Sequence, residues 1–99
     1  MRNVIVRYTL KSECLDEHLT LLAAVFEELG RARPAGLRYG VTRSPDGLGF
    51  THIASMTGPT NPLAALASFQ AFTRDAPKRC EAPPQAMDVT VAGDYGLFS

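Results

Sequence analysis

Apolar and polar residues alternate along three stretches of the chain, residues 2–10, 37–43 and 49–56. Because the side chains of an extended strand point alternately to its two faces, the alternation predicts three strands that each bury one face. A fourth strand, bent near Gly93 and Gly96, is predicted close to the C-terminus, with apolar positions at Met87, Val89, Val91, Tyr95, Leu97 and Phe98.

Helical spacing of apolar residues marks a first helix between the first two strands. Ser12 is predicted to cap it at the N-terminus, and Gly30 to end it as a left-handed C-cap. His18, beside Glu17, is expected on the charged and solvent-exposed side. The predicted buried positions are Leu15, Leu19, Leu22, Phe26 and Leu29.

A second helix is predicted to begin at Pro62, because proline fits the first helical position and Thr60 or Asn61 can cap the helix. Pro77 is expected either to end this helix or to begin a separate turn. The predicted inward positions are Leu63, Leu66, Phe69 and Phe72.

The order of elements is βαββαβ. Ser44-Pro45-Asp46-Gly47 has the composition of a type I turn, so the second and third strands are predicted to form an antiparallel hairpin. With right-handed crossovers, this order gives an α+β, ferredoxin-like domain over residues 1–99, with a four-stranded antiparallel sheet and both helices on one face. The other face carries apolar residues such as Ile5, and a second copy of the chain is the simplest cover for it.

Taken together, five stretches resemble the antibiotic biosynthesis monooxygenase-like family of dimeric α/β barrels: VIVRYTL, the LxxxLxxLxxxFxxL helix, GLRYGVTRSPDG, GFTHIASM and ALASFQAFTRDAPKRCEAPP. The resemblance implies a homodimer whose two sheets pack face to face. It also implies a cavity between sheet and helices or at the barrel mouth. Members of the family include cofactor-independent oxygenases of aromatic or quinol-like substrates, haem-degrading proteins and proteins of no known activity.

Two departures from the family bear on function. The chain has no tryptophan, which the best-understood oxygenases and haem degraders place in the cavity. Many relatives carry a histidine early in the second helix, where this chain reads AALASF, with Ala65 or Leu66 at that point. Haem degradation is therefore disfavoured. A cofactor-independent monooxygenase is predicted, and the alternative is a non-catalytic dimer that binds a small ligand or is purely structural.

His52 is the strongest candidate for a catalytic residue. It lies between Phe50 and Ala54 on an apolar strand face, where a neutral imidazole suits a base that takes a proton from a phenol or quinol. The competing interpretation is a core histidine held by one hydrogen bond. A small hydrophobic or aromatic ligand is expected in a cavity here, with candidate binding residues Phe50, Ala54, Met56, Tyr39, Tyr8 and Arg7.

Arg7 differs from the other candidates because it faces the opposite side of its strand from Tyr8. Pairing with a carboxylate across the dimer is favoured over binding a ligand oxygen or lying at a rim.

Charge and cysteine content restrict the remaining classes. Ten basic residues balance ten acidic ones without a basic run, so neither nucleic acid nor a membrane is an expected partner. An RNA-recognition domain would need exposed aromatic and basic residues on the sheet, which GFTHIA does not resemble. No signal peptide is evident, and a cytoplasmic location is predicted. Cys14 and Cys80 are expected to be reduced thiols, with no metal site and no cofactor.

Overall fold

A computed structural model describes residues 1–98 of the chain. One antiparallel sheet with the strand order β2-β3-β1-β4 carries the helices on a single face. This arrangement confirms the predicted α+β, ferredoxin-like fold. The elements are β1 (Arg2–Thr9), α1 (Leu15–Ala32), β2 (Leu37–Arg43), β3 (Gly49–Met56), α2 (Ala67–Arg74), α3 (Ala76–Arg79) and β4 (Gln85–Val89).

The central position of β3 determines where the site lies. His52 is paired with Val6 on β1 and with Val41 on β2, so a strand flanks it on either side. The predicted turn makes the β2–β3 hairpin, with the Gly47 N–H donating to the Ser44 carbonyl at 2.9 Å. Gly47 has φ +85°, a left-handed conformation that glycine adopts without strain.

The predicted burial of α1 is wrong at two positions. His18 is fully buried, whereas Phe26 is 38% exposed. The inward-facing stripe runs through His18 and Val25, which are buried and complete a regular three-four spacing with three partly buried leucines. Its members are Leu15, His18, Leu22, Val25 and Leu29.

The predicted ends of α1 also need correction. Ser12 begins a 3₁₀ turn, Ser12–Cys14, and its side chain caps nothing. Gly30 lies inside the helix, which continues to Ala32 and ends where Arg33 adopts φ 45° and donates its N–H to the Leu29 carbonyl at 2.9 Å. The left-handed cap is therefore formed by an arginine, at a cost in backbone strain that glycine would avoid.

The second helical region is divided into three short pieces. The Asn61 side chain accepts the Leu63 N–H at 3.0 Å and caps a 3₁₀ turn, Pro62–Ala65, which α2 follows. Pro77 lies in the first turn of α3, so it begins a separate turn, one of the two predicted outcomes. Leu63, Leu66 and Phe72 are buried as predicted.

The last strand is shorter than predicted. β4 pairs Gln85–Val89 with residues 3–7 of β1, and Val89 lies opposite Asn3. Because β1 begins at Arg2, it has almost no residues left to pair with the chain beyond Val89. Tyr95 is fully exposed and not part of a strand. Leu97 and Phe98 instead border a cleft over the helix-free face of the sheet, together with Arg38, Ile53 and Ser55.

Both cysteines are free of disulfide bonds, and the Cys80 thiol donates to the Ala76 carbonyl at 3.2 Å. Cys80 packs with Leu10 and Phe50 in a core cluster beneath α1. Among residues 1–98, no helix has the length and apolar character needed to cross a membrane.

The corrected end of α1 can be tested with Gly30→Ala. Nothing lies within 4 Å of a Cβ placed at Gly30, so alanine in this helix interior should raise the free energy of unfolding by about 1 kcal/mol. Gly36→Ala is the matched control, because Gly36 has φ +75° and its Cβ would collide with Thr57 Oγ1. That change should destabilise by at least about 1 kcal/mol. Urea unfolding measures both, and destabilisation by Gly30→Ala would instead support a left-handed cap there.

Candidate functional site

Two tyrosine hydroxyls converge on the imidazole of His52 from the flanking strands. Tyr8 Oη lies 2.6 Å from Nε2, and Tyr39 Oη lies 2.7 Å from Nδ1. Tyr8 is paired with Phe50 and Tyr39 with Ala54, so each tyrosine is a diagonal neighbour of His52. Long aromatic side chains can span that diagonal. Both ring nitrogens of His52 are therefore occupied by tyrosine hydroxyls.

Side chains from helices α1 and α3 continue this series of hydrogen bonds beyond Tyr8. His18 Nε2 lies 2.7 Å from Tyr8 Oη, and Arg79 Nε donates to His18 Nδ1 at 3.1 Å. One terminal guanidinium nitrogen of Arg79 donates to the Phe72 carbonyl at 2.6 Å. We call the series Tyr39, His52, Tyr8, His18 and Arg79 the polar chain.

Aromatic rings enclose the polar chain. Phe50 stacks on Tyr8 with ring centroids 5.6 Å apart, and Phe26 stacks on Tyr39 at 5.3 Å. Phe72 lies between the helices and the sheet, with its ring 4.9 Å from His18 and 5.8 Å from His52. The Arg79 guanidinium lies over the same Phe72 ring at 5.3 Å, within cation–π distance. These contacts bury most of the polar chain, and the lower local dielectric strengthens the electrostatic interactions within it.

Burial shifts the titration of the polar chain toward its neutral forms. Desolvation lowers the pKa of His52 from 6.5 to about 4, with a smaller effect from His18. Desolvation, followed by the positive charge of Arg79, lowers the pKa of His18 to about 4. Burial also raises the pKa of Tyr8 and Tyr39 well above 10.0. At neutral pH both histidines and both tyrosines are therefore uncharged.

Four of the predicted site residues line one small cavity on the helix-facing side of the sheet. Its volume is about 120 Å³, and Tyr39, His52, Ala54 and Met56 form part of its wall. Most of the remaining wall is apolar, and it includes Val4, Val6, Leu63 and Phe69. Asn61 and Arg2 supply polar groups at the wall. The cavity has the composition of a site for a small apolar ligand with one or two oriented oxygen atoms.

The other three predicted residues lie elsewhere. Tyr8 and Phe50 belong to the core around the polar chain and also line a larger cleft of about 550 Å³ at the end of the sheet. Arg7 borders that cleft and is exposed. Its strand position places it on the helix-free face, so the structure does not bring Arg7 together with His52.

Sequence reasoning missed two members of the polar chain, His18 and Arg79. The three-four spacing of the inward-facing stripe of α1 could have predicted the burial of His18, since His18 falls on that spacing as regularly as the three leucines do. Arg79 has no comparable signal, because its partner His18 is 61 residues away along the chain. Among the described residues, no group of three His, Cys, Asp or Glu side chains is arranged to hold a metal ion.

The buried histidines should make the fold sensitive to acid. Their pKa values are lowered from 6.5 to about 4, so the unfolded chain takes up these protons first as the pH falls. Their contribution to stability is present above about pH 6.5 and is lost as the pH falls towards 4, by at most about 1.4 kcal/mol per pH unit for each histidine. Urea unfolding across this range measures the slope.

The control is a double variant, His18→Gln with His52→Gln, which removes both histidines of the chain. Its stability should vary much less over the same pH range. Equal slopes in the two proteins would contradict the assignment.

No protein-family model and no curated protein sequence matches the chain. Among solved structures, an antibiotic biosynthesis monooxygenase superposes with a TM-score of 0.71 at 18% identity, over 94% of this chain and 100% of its own. Rv0793 from Mycobacterium tuberculosis gives 0.75 at 16% identity, over 94% and 96% of the two chains. A variant of SnoaB, a cofactor-independent oxygenase from Streptomyces nogalater, gives 0.69 at 16% identity, over 96% of each chain. The chain therefore has the fold of the antibiotic biosynthesis monooxygenase-like proteins, which confirms in its fold the resemblance found in the sequence.

Proposed function

We propose that the protein is a cofactor-independent monooxygenase of a small aromatic or quinol-like substrate, bound in the cavity beside Tyr39 and His52. One observation carries the proposal: the polar chain ends at an apolar cavity. The Tyr39 hydroxyl, which lies 2.7 Å from His52 Nδ1, has no other hydrogen-bond partner among residues 1–98. It is available to a substrate oxygen. The similarity of the fold to a cofactor-independent oxygenase supports the same proposal.

In cofactor-independent oxygenation the substrate itself reacts with O₂, so the protein needs to supply mainly a cavity of suitable shape and control of one proton. A substrate with an acidic CH₂ group next to a phenol or carbonyl loses a CH₂ proton to solvent water, which gives a carbanion whose charge is delocalised onto oxygen. The carbanion transfers electrons to O₂ and forms a C–O bond, giving a hydroperoxide after protonation. Cleavage of the O–O bond with loss of water leaves a C=O group, so CH₂ and O₂ become C=O and H₂O. An apolar cavity favours this delocalised anion over a localised one.

His52 contributes to this proposal by holding Tyr39. Since both of its ring nitrogens are engaged by tyrosines, it can exchange a proton with the substrate only through the Tyr39 hydroxyl. The same observation favours the second candidate function, a non-catalytic protein that binds a small ligand. In that case the polar chain would orient a ligand oxygen without moving its proton.

The proposed assembly is a homodimer formed through the helix-free face of the sheet, as a dimeric α/β barrel. This face carries Ile5 and Ile53 in partly buried positions, and Met87 is 59% exposed. An exposed apolar patch of this kind is typical of an interface between protein chains.

Oxygen consumption with a small quinol-like or aromatic ketone that carries an acidic CH₂ group, such as 2-tetralone, tests the catalytic function. Purified protein should consume O₂ above the autoxidation rate. His52→Ala should lower the turnover by about a hundred- to ten-thousand-fold while ligand affinity changes by less than about tenfold. Tyr39→Phe should give a similar loss of turnover with less disturbance of packing, since only an oxygen atom is removed.

The matched control is Tyr95→Phe, because Tyr95 is fully exposed, and this variant should keep wild-type turnover. Ligand binding without O₂ consumption in the wild-type protein would favour the non-catalytic alternative. Unchanged turnover in folded Tyr39→Phe protein would remove Tyr39 from the reaction.

Sedimentation equilibrium tests the assembly. The wild-type chain should be a dimer at micromolar concentration, and Ile53→Asp should shift it toward monomer because a carboxylate would be buried in the interface. Ala23→Asp, on the exposed side of α1, should leave the dimer intact. A stable folded monomer of the wild-type chain would contradict the barrel.

A further inference from the structure

Arg79 is a buried cation without an acidic partner. It is only 3% exposed, and no carboxylate of residues 1–98 lies within 4.0 Å of its guanidinium. Its described partners are the His18 ring, the Phe72 carbonyl and the Phe72 ring. A guanidinium has only donors and does not lose its proton in proteins. Arg79 therefore imposes a direction on every hydrogen bond that depends on it.

The first consequence is the tautomer of His18. The Arg79 Nε–H points at His18 Nδ1 at 3.1 Å, so Nδ1 must be an acceptor and carry no proton. A neutral imidazole carries one proton, which then lies on Nε2. His18 Nε2 consequently donates to the Tyr8 oxygen at 2.7 Å.

The second consequence is the orientation of the Tyr8 hydroxyl. Its oxygen accepts from His18, and its only other described neighbour is His52 Nε2 at 2.6 Å. If His52 also donated to Tyr8, the Tyr8 hydrogen would be left without an acceptor in a partly buried site, which is unfavourable. The Tyr8 O–H therefore donates to His52 Nε2.

The third consequence reaches the cavity. With Nε2 accepting, neutral His52 carries its proton on Nδ1 and donates it to the Tyr39 oxygen at 2.7 Å. The Tyr39 O–H is then the last donor of the series, and it has no acceptor among residues 1–98. The direction of four successive hydrogen bonds thus runs from Arg79 to Tyr39.

We propose that Arg79 is a positioning residue that polarises the polar chain, so that Tyr39 offers a proton donor to the cavity and the ligand presents an acceptor oxygen, as a phenolate, enolate or carbonyl. The opposite direction would make Tyr39 an acceptor and select a ligand hydroxyl. The inference deepens the proposed function and rests on its cavity being the ligand site. It requires no chemistry by Arg79 itself, which touches neither cavity nor ligand.

The direction of the chain can be measured on the free protein by NMR of ¹⁵N-labelled histidine at neutral pH. We expect two opposite neutral tautomers, His18 protonated on Nε2 and His52 protonated on Nδ1. Arg79→Met should convert both rings to mixtures of tautomers, and Arg79→Lys, which keeps a donor, should restore them at least in part. Arg74→Met, at an exposed position on α2, is the control and should change nothing.

The wild-type spectrum decides the direction even if Arg79→Met fails to fold. His52 protonated on Nε2 in the wild-type protein would overturn the proposal. Unchanged tautomers in folded Arg79→Met protein would overturn the role of Arg79.

The ligand oxygen can be tested with 4-nitrophenol, whose phenolate has its own visible absorption band. If Tyr39 donates, the bound phenol should titrate at least about one pH unit lower than the free phenol, which corresponds to about tenfold tighter binding of the phenolate. Tyr39→Phe should abolish this shift, and Tyr95→Phe should retain it. A raised ligand pKa, or no binding, would overturn the assignment of an acceptor oxygen. If His18 and His52 have the expected tautomers and the ligand pKa is lowered, but the protein consumes no O₂, only the monooxygenase function is contradicted.

Discussion

The burial of one guanidinium dominates the interior of this small domain. Arg79 lies between α1, α2 and the sheet at 3% exposure, and its positive charge is not neutralised by a carboxylate of residues 1–98. Desolvating such a charge is expensive unless its donors are satisfied. His18 Nδ1 and the Phe72 carbonyl each accept one of its N–H groups, and the Phe72 ring lies against its charge. Each further member of the polar chain is satisfied by a hydrogen bond to the next: His18 to Tyr8, Tyr8 to His52, and His52 to Tyr39.

This dependence joins elements that are far apart in the sequence. β1, β2 and β3 supply the two tyrosines and the imidazole, and α1 and α3 supply the other two members of the polar chain. A buried network is stable only when every member is paired, so the position of the short α3 is tied to the register of the sheet. Tyr39 and His52, two members of the same network, also line the cavity. Groups that stabilise the interior therefore also face the cavity.

The comparisons show how far sequence can vary while the fold is kept. Identities of 16–18% accompany TM-scores of 0.69–0.75 over nearly the whole chain. Conserving a βαββαβ fold requires only apolar residues at the right period and suitable turns, and many sequences meet that condition. The identity of the side chains in the interior is less restricted than the pattern of apolar positions that the fold requires. This chain, which has no tryptophan, fills the space beneath its helices with the polar chain and its aromatic neighbours.

The sequence by itself determined the strands β1 to β3, the hairpin at Gly47, the existence of both helical regions and the helix-facing set of Phe50, His52, Ala54 and Met56. These features follow from local periodicity and from turn residues, which act over a few positions. Only the tertiary structure decided that His18 is buried, that Arg79 is its partner and that His52 has both nitrogens engaged. Each of these depends on side chains brought together from separate elements, and the length of β4 likewise depends on where its partner β1 begins. The local sequence pattern cannot predict such contacts, because the free energy that stabilises them arises only when the folded chain brings the buried groups together.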